Sequence, residues 1–86
     1  MNWFIYIVKC NDNSLYTGIT NDLDRRVREH NEKNNIGSRY VRSKRPATLV
    51  FSETATSRST ALKREAEIKK LTHIQKAELI SNKTHR

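Results

Sequence analysis

The run from Trp3 to Lys9 is aromatic or β-branched at nearly every position, and it constrains the fold more than any other feature of the chain. Residues of this kind favour extended backbone. An apolar run without strict alternation asks for contacts on both faces of the strand. Asn11, Asp12, Asn13 and Ser14 follow, and residues of this type tolerate left-handed conformations and bond back to their own backbone, which is turn chemistry. Leu15 to Ile19 then resumes strand character. The two segments should pair as a β-hairpin, with Gly18 either at a bulge or where another group approaches the backbone closely.

Beyond the hairpin, Thr20, Asn21 and Asp22 supply candidate N-caps ahead of Leu23, and Leu23, Val27 and His30 recur at helical spacing. A helix is expected from about Asp22 to Glu32, ended by Asn34, Asn35 and Gly37. Ser38 to Pro46 has no clean period and carries Arg39, Tyr40, Arg42, Lys44 and Arg45, so it reads as a basic loop. Thr48 to Glu53 reads as a third strand. Ser57 or Ser59 can cap a second helix to about Leu71, and Thr72 with Gln75 forms a capping-box pattern for a short third helix to about Ile80. The order β-β-α-β-α-α predicts an α/β fold, a small three-stranded, mainly antiparallel sheet flanked by helices. One domain over residues 1–82 and a flexible tail at 83–86 are expected.

Composition then narrows the function classes. At 86 residues, roughly 60% of the unfolded surface can be buried, so the core must be small. Seventeen Lys plus Arg against nine Asp plus Glu give a formal charge of +8. That excess produces a positive field over much of the surface and points to a polyanionic partner, nucleic acid before others, because guanidinium matches phosphate geometry. A plain solvated basic surface is the ordinary alternative. Cys10 is the single cysteine, which excludes an intrachain disulfide and a cysteine zinc site. The apolar run is too short for a signal-peptide core or a membrane span, so a cytoplasmic protein with no membrane partner is expected.

The sharpest chemical signal lies on the second helix, where Ala61, Leu62, Ala66, Ile68 and Leu71 form a broad apolar arc at about 100° per residue and Glu65 falls inside it. A carboxylate there needs a cation, a strong donor, a metal or water in a cleft. A salt bridge to an Arg or to Lys69 is the ordinary answer. Arg26 borders the Leu23, Val27 and His30 stripe of the first helix, while Arg25 and Arg28 point elsewhere. Tyr6 and Tyr16 sit on the two hairpin strands. Either is readable as a core aromatic with its hydroxyl bonded locally, and His30 as a packed histidine.

Taken together, Ile5-Tyr6, Tyr16-Thr17-Gly18, Leu23-Asp24-Arg25-Arg26-Val27 and Ala61-Leu62-Lys63-Arg64-Glu65 form a pattern that resembles the GIY-YIG nuclease domain. Tyr16 to Asp22, Glu29-His30-Asn31, Arg45-Pro46 and the short length look like the small stand-alone bacterial GIY-YIG proteins grouped as an uncharacterised protein family. The resemblance spans nearly the whole chain. It implies that Tyr6 and Tyr16 face the active cleft, that Arg26 contacts the scissile phosphate, and that Glu65 binds one divalent ion, Mg²⁺ or Mn²⁺. It makes Tyr16 the favoured route for activating water, Tyr6 its partner, and His30 a secondary member of the site. Two positions depart from the pattern. Phe4 replaces the glycine of the first motif, and Ile19 stands where several active relatives carry lysine.

The expected function is therefore a divalent-metal-dependent endonuclease or structure-selective nuclease hydrolysing phosphodiester bonds in DNA. The alternative is a non-catalytic nucleic-acid-binding module of a larger repair or processing complex. Arg39, Tyr40, Arg42, Lys44 and Arg45 are the expected nucleic-acid contacts, on a monomer or weak dimer.

Overall fold

A computed structural model describes residues 2–32 and 44–84. The expected order is found: β1 (Trp3–Lys9), β2 (Leu15–Thr20), α1 (Leu23–Asn31), β3 (Thr48–Ala55), α2 (Arg58–Lys69) and α3 (His73–Thr84). The sheet runs β2-β1-β3 with both pairings antiparallel. β1 is thus the central strand, which is why it is apolar on both faces. Ile5 and Ile7 point into a cluster with Phe51, Ala55, Ala61 and Ile68 beneath α2 and α3. Tyr6 and Val8 point the other way, into a cluster with Cys10 and Ala47 against which Tyr16, Leu23 and Val27 pack.

Local chemistry sets the joints. Asn13 takes a left-handed φ of 69° in the hairpin turn, and Asp12 Oδ1 accepts from the Ser14 amide at 3.0 Å and hydroxyl at 2.6 Å. The two Ser14 bonds, with Lys44 adding to them, pull the Asp12 carboxyl down to about 2. Asp22 caps α1 by accepting from the Arg25 amide at 3.1 Å. Ser57, rather than Ser59, caps α2 through the Thr60 amide at 3.1 Å. The capping box at α3 is reciprocal: the Thr72 amide donates to Gln75 Oε1 at 2.9 Å, and the Gln75 amide donates to Thr72 Oγ1 at 3.1 Å.

Several boundaries differ from expectation. β3 continues past Glu53 to Ala55 because Ala55 pairs with Trp3 and completes the ladder along the whole of β1. α3 continues past Ile80 to Thr84, since Ser81, Asn82 and Lys83 offer neither glycine nor proline to stop it. The apolar arc of α2 is narrower than predicted. Ala61 and Ile68 are buried, while Leu62 and Ala66 face solvent. A sheet of three strands leaves only a narrow strip for the helix to lie on. Its flank is secured instead by charge, with Arg64 Nε 2.7 Å from Glu53 Oε2 on β3.

The segment returning to β3 is tied to α1. Asn31 Oδ1 accepts from the Ala47 amide at 2.7 Å and Asn31 Nδ2 donates to the Ala47 carbonyl at 2.9 Å. Arg45 Nη1 donates to the Glu32 carbonyl, and the Arg45–Pro46 peptide is cis. α1 is thereby held over the Tyr6 face of the sheet.

Candidate active site

In the β1–β2 ladder, Tyr6 pairs with Gly18 and Tyr16 with Val8, so the two tyrosines share one face, diagonal to each other. The Tyr6 ring lies across Gly18. A β-carbon added there would sit 2.6 Å from the Tyr6 hydroxyl oxygen and 2.8 Å from Cζ. Gly18 does not have a positive φ, so the position demands glycine for space, not for backbone freedom. Of the two readings the sequence left open at Gly18, close approach is the one found.

α1 lies over this face and delivers Arg26 and His30 one turn apart. The Tyr6 hydroxyl is 2.8 Å from His30 Nε2, and Arg26 Nε donates to the same oxygen at a long 3.4 Å. Guanidinium can only donate. The buried Tyr6 hydroxyl proton therefore goes to its one bonded acceptor among the described residues, His30 Nε2, which places the imidazole's own proton on Nδ1. Tyr16 closes the other side of the histidine, ring edge toward ring face, with centroids 5.5 Å apart.

Electrostatics agree with that arrangement. Burial pushes the His30 pKa down to about 4, with the Arg26 charge acting in the same direction, so His30 is neutral at physiological pH and able to accept. Burial raises Tyr6 above its ordinary value against the opposing pull of Arg26, while Tyr16 and Glu65 add to the rise. Tyr6 thus keeps its proton at neutral pH. Arg26 is steadied by Glu29, whose Oε1 lies 3.2 Å from Nη1, and its Nη2 has no bond within the protein among the described residues.

Glu65 enters from α2, on the stripe between Ala61 and Ile68, and its charge is close enough to act on the Tyr6 hydroxyl. Its side chain is 17% exposed and meets Lys69 Nζ at 3.4 Å from Oε2. The ordinary reading of Glu65, an ion pair with Lys69, is therefore present. Glu65 is the acidic group whose charge acts on Tyr6, and no group of three or more His, Cys, Asp or Glu able to hold a metal occurs among the described residues.

Tyr6, Tyr16, Arg26 and His30 are thus gathered into one cluster by β1, β2 and α1, with Glu65 reaching it electrostatically from α2. Of the basic loop, Arg39, Tyr40 and Arg42 lie outside the described residues. Lys44 is bound to Asp12 at 3.1 Å and Arg45 to the Glu32 carbonyl, so both have local duties. Two site-supporting residues, Glu29 and Asn31, were named from the sequence only within the Glu29-His30-Asn31 motif, with no role assigned. Glu29 was visible as an i, i+3 partner of Arg26, whereas the bonds of Asn31 to Ala47 had no local signal.

The model of the GIY-YIG catalytic domain matches residues 2–77. The chain belongs to the GIY-YIG family. The UPF0213 protein SERP0126 of Staphylococcus epidermidis is 53% identical over 77 residues, covering 90% of this chain and 92% of that protein. The UPF0213 protein DP2720 of Desulfotalea psychrophila is 51% identical over 78 residues, covering 91% and 70%. Among solved structures, the UPF0213 protein BH0048 of Bacillus halodurans superimposes with a TM-score of 0.62 at 38% identity, covering 96% of this chain and 86% of that one. The protein EF2693 of E. faecalis gives 0.66 at 32% identity, covering 100% and 90%.

Membership places the chain in the GIY-YIG nuclease superfamily. No described helix is long and apolar enough to cross a membrane. The two departures from the GIY-YIG pattern also have a structural setting. Phe4 pairs with Thr20, two residues from the Tyr6–Gly18 pair that needs space, whereas Ile19 pairs with Ile5 and packs against the core on the opposite face.

Proposed function

We propose that this protein is a divalent-metal-dependent endonuclease that hydrolyses phosphodiester bonds in DNA. The observation that carries the reading is the linked set of Arg26, Tyr6 and His30, with a guanidinium edge unbonded among the described residues and a neutral acceptor histidine on one side of the sheet. Uncatalysed phosphodiester hydrolysis is extremely slow, so a nucleophile must be activated and the phosphorane charge stabilised together. Arg26 Nη2 is the donor for a non-bridging phosphate oxygen, held in place by Tyr6 and Glu29. The Tyr6 hydroxyl, kept protonated, positions its neighbours. Tyr16, the more exposed of the two tyrosines, is the hydroxyl through which a water is activated, its own proton leaving to solvent as it takes the water's.

The donor set fits a hard cation of the Mg²⁺ or Mn²⁺ type, which takes oxygen ligands and retains several waters, so one carboxylate with substrate oxygens suffices. Glu65 is the residue that would hold it. When bound, such an ion polarises the phosphate and neutralises the leaving oxygen. The +8 charge supports attraction of the nucleic acid and gives it a steep salt dependence. A cytoplasmic location is part of the same reading.

A non-catalytic nucleic-acid-binding module of a larger complex is the second reading, favoured by one observation, the Lys69 ammonium already on Glu65. Incubating the purified protein with Mg²⁺ or Mn²⁺ on single-stranded, nicked and branched DNA separates the two. Cleavage that Arg26→Ala and Glu65→Ala each reduce at least about 100-fold is expected. Intact DNA under all conditions, with salt-dependent binding retained, would establish the second reading instead.

A further inference from the structure

The Glu65 carboxylate holds a cation that belongs to the chain itself. It lies on the inward stripe of α2 between two side chains with no solvent exposure, Ala61 and Ile68, and is itself only 17% exposed. Left unpaired in that position, its charge would be costly. Lys69, one helical turn on, reaches back to Oε2 at 3.4 Å while remaining 54% exposed. Glutamate four residues before lysine is the favourable orientation, and the last turn of a helix favours a cation. The neighbouring arginines are bound elsewhere, Arg64 by Glu53 and Glu67 and Arg26 by Glu29 and Tyr6. Lysine differs from arginine in being a compact charge on a flexible four-carbon stem, held here by one ion pair among the described residues and able to swing out.

We propose that Lys69 is a built-in counter-ion that suppresses metal uptake at Glu65 until a nucleic-acid phosphate enters the cleft. The inference rests on the reading of Glu65 as the metal-binding residue. In the free protein the Glu65–Lys69 pair is electrically neutral, so a divalent cation added to it meets an ammonium about one ion-pair length away. Repulsion between charges of +1 and +2 about 5 Å apart in a water-like dielectric weakens binding roughly tenfold. A phosphate in the cleft removes that penalty in two ways. It offers Lys69 another anionic partner, and it supplies the ion with oxygens. Metal and phosphate therefore bind with positive coupling, and by linkage each strengthens the other by the same factor. Lys69 is a positioning residue in this scheme, acting through Glu65.

The test measures Mn²⁺ binding to the full chain by calorimetry and by paramagnetic broadening of amide signals around Glu65. Each titration is run alone and with a non-hydrolysable phosphorothioate oligonucleotide. Lys69→Gln, Lys70→Gln and Glu65→Gln are compared with the parent, Lys70→Gln serving as an equal charge change one residue along. Expected are about tenfold tighter Mn²⁺ binding in Lys69→Gln without oligonucleotide, less than about twofold in Lys70→Gln, and a smaller oligonucleotide-induced gain in Lys69→Gln than in the parent. If Glu65→Gln abolishes Mn²⁺ binding but Lys69→Gln matches Lys70→Gln or binds more weakly, the counter-ion role is overturned while the metal reading stands. If no variant shows Mn²⁺ binding that depends on Glu65, the metal reading fails and this inference falls with it.

Discussion

Substituting Gly18 by alanine tests whether the second motif's glycine exists to admit the Tyr6 ring. The added β-carbon would lie 2.6, 2.8 and 3.1 Å from Oη, Cζ and Cε2 of Tyr6, where ordinary contact begins at 3.4 Å. The hydroxyl must therefore retreat by roughly 0.8 Å, or β2 must give way by as much. Tyr6 has little room for this, being 1% exposed and bonded to His30 at 2.8 Å. Overpacking of this kind costs about 1–3 kcal/mol, offset by the ~0.4–1 kcal/mol that alanine contributes by stiffening the unfolded chain. A net loss of about 1–2 kcal/mol is expected in urea unfolding at pH 7.5. A double-mutant cycle isolates the cause. In a Tyr6→Ala background the same β-carbon meets no ring, so Gly18→Ala should become neutral or mildly stabilising, giving a coupling of at least about 1 kcal/mol. An unchanged unfolding midpoint for Gly18→Ala in the parent, with strict additivity in the cycle, would refute the reasoning. Where the protein cuts DNA, a hydroxyl displaced by this distance should also lower the rate by about 100-fold.

The histidine and the inter-element clamp give two further expectations. His30 binds its proton more weakly in the folded state, at about 4, than the ordinary 6.5 of the unfolded chain. The unfolded state therefore binds more protons between those values, so stability from this group is complete above pH 6.5 and is lost as pH falls to 4, by roughly 2–3 kcal/mol. An NMR titration that found His30 titrating near 6.5, or its proton on Nε2 at pH 7.5, would contradict both the burial argument and the proton placement. Asn31→Ala should destabilise by about 2 kcal/mol, because it leaves the amide of buried Ala47 without its partner. Asn31→Asp would set an acceptor-only carboxylate oxygen against the Val27 and Ala47 carbonyls, to which Nδ2 donates at 3.2 and 2.9 Å, so it should lose at least as much at neutral pH. An unchanged denaturant midpoint for Asn31→Ala would show that the Ala47 amide is not the deciding bond.

The order of elements was legible in the residues because each is set locally. The Trp3–Lys9 run, the Asn-rich turn, the Asp22 and Ser57 caps and the Thr72–Gln75 box all act within a few residues. The family signature likewise named Tyr6, Tyr16, Arg26, His30 and Glu65 before any geometry. Tertiary structure decided the rest. Sequence spacing did not place the Tyr6 hydroxyl between His30, 24 residues away, and Arg26, 20 residues away; that required α1 to be fixed over the sheet, partly by Asn31 reaching across 16 residues to Ala47. Nor did helical periodicity give the true width of the α2 face. Leu62 and Ala66 match the arc but stand outside it, because the sheet they would have covered ends at three strands. The opening run Trp3–Lys9 required cover on both faces. Only the strand order β2-β1-β3 put one face against the core of α2 and α3 and the other beneath α1. Side-chain alternation along β1 then sent Ile5 and Ile7 to packing and Tyr6 to the site.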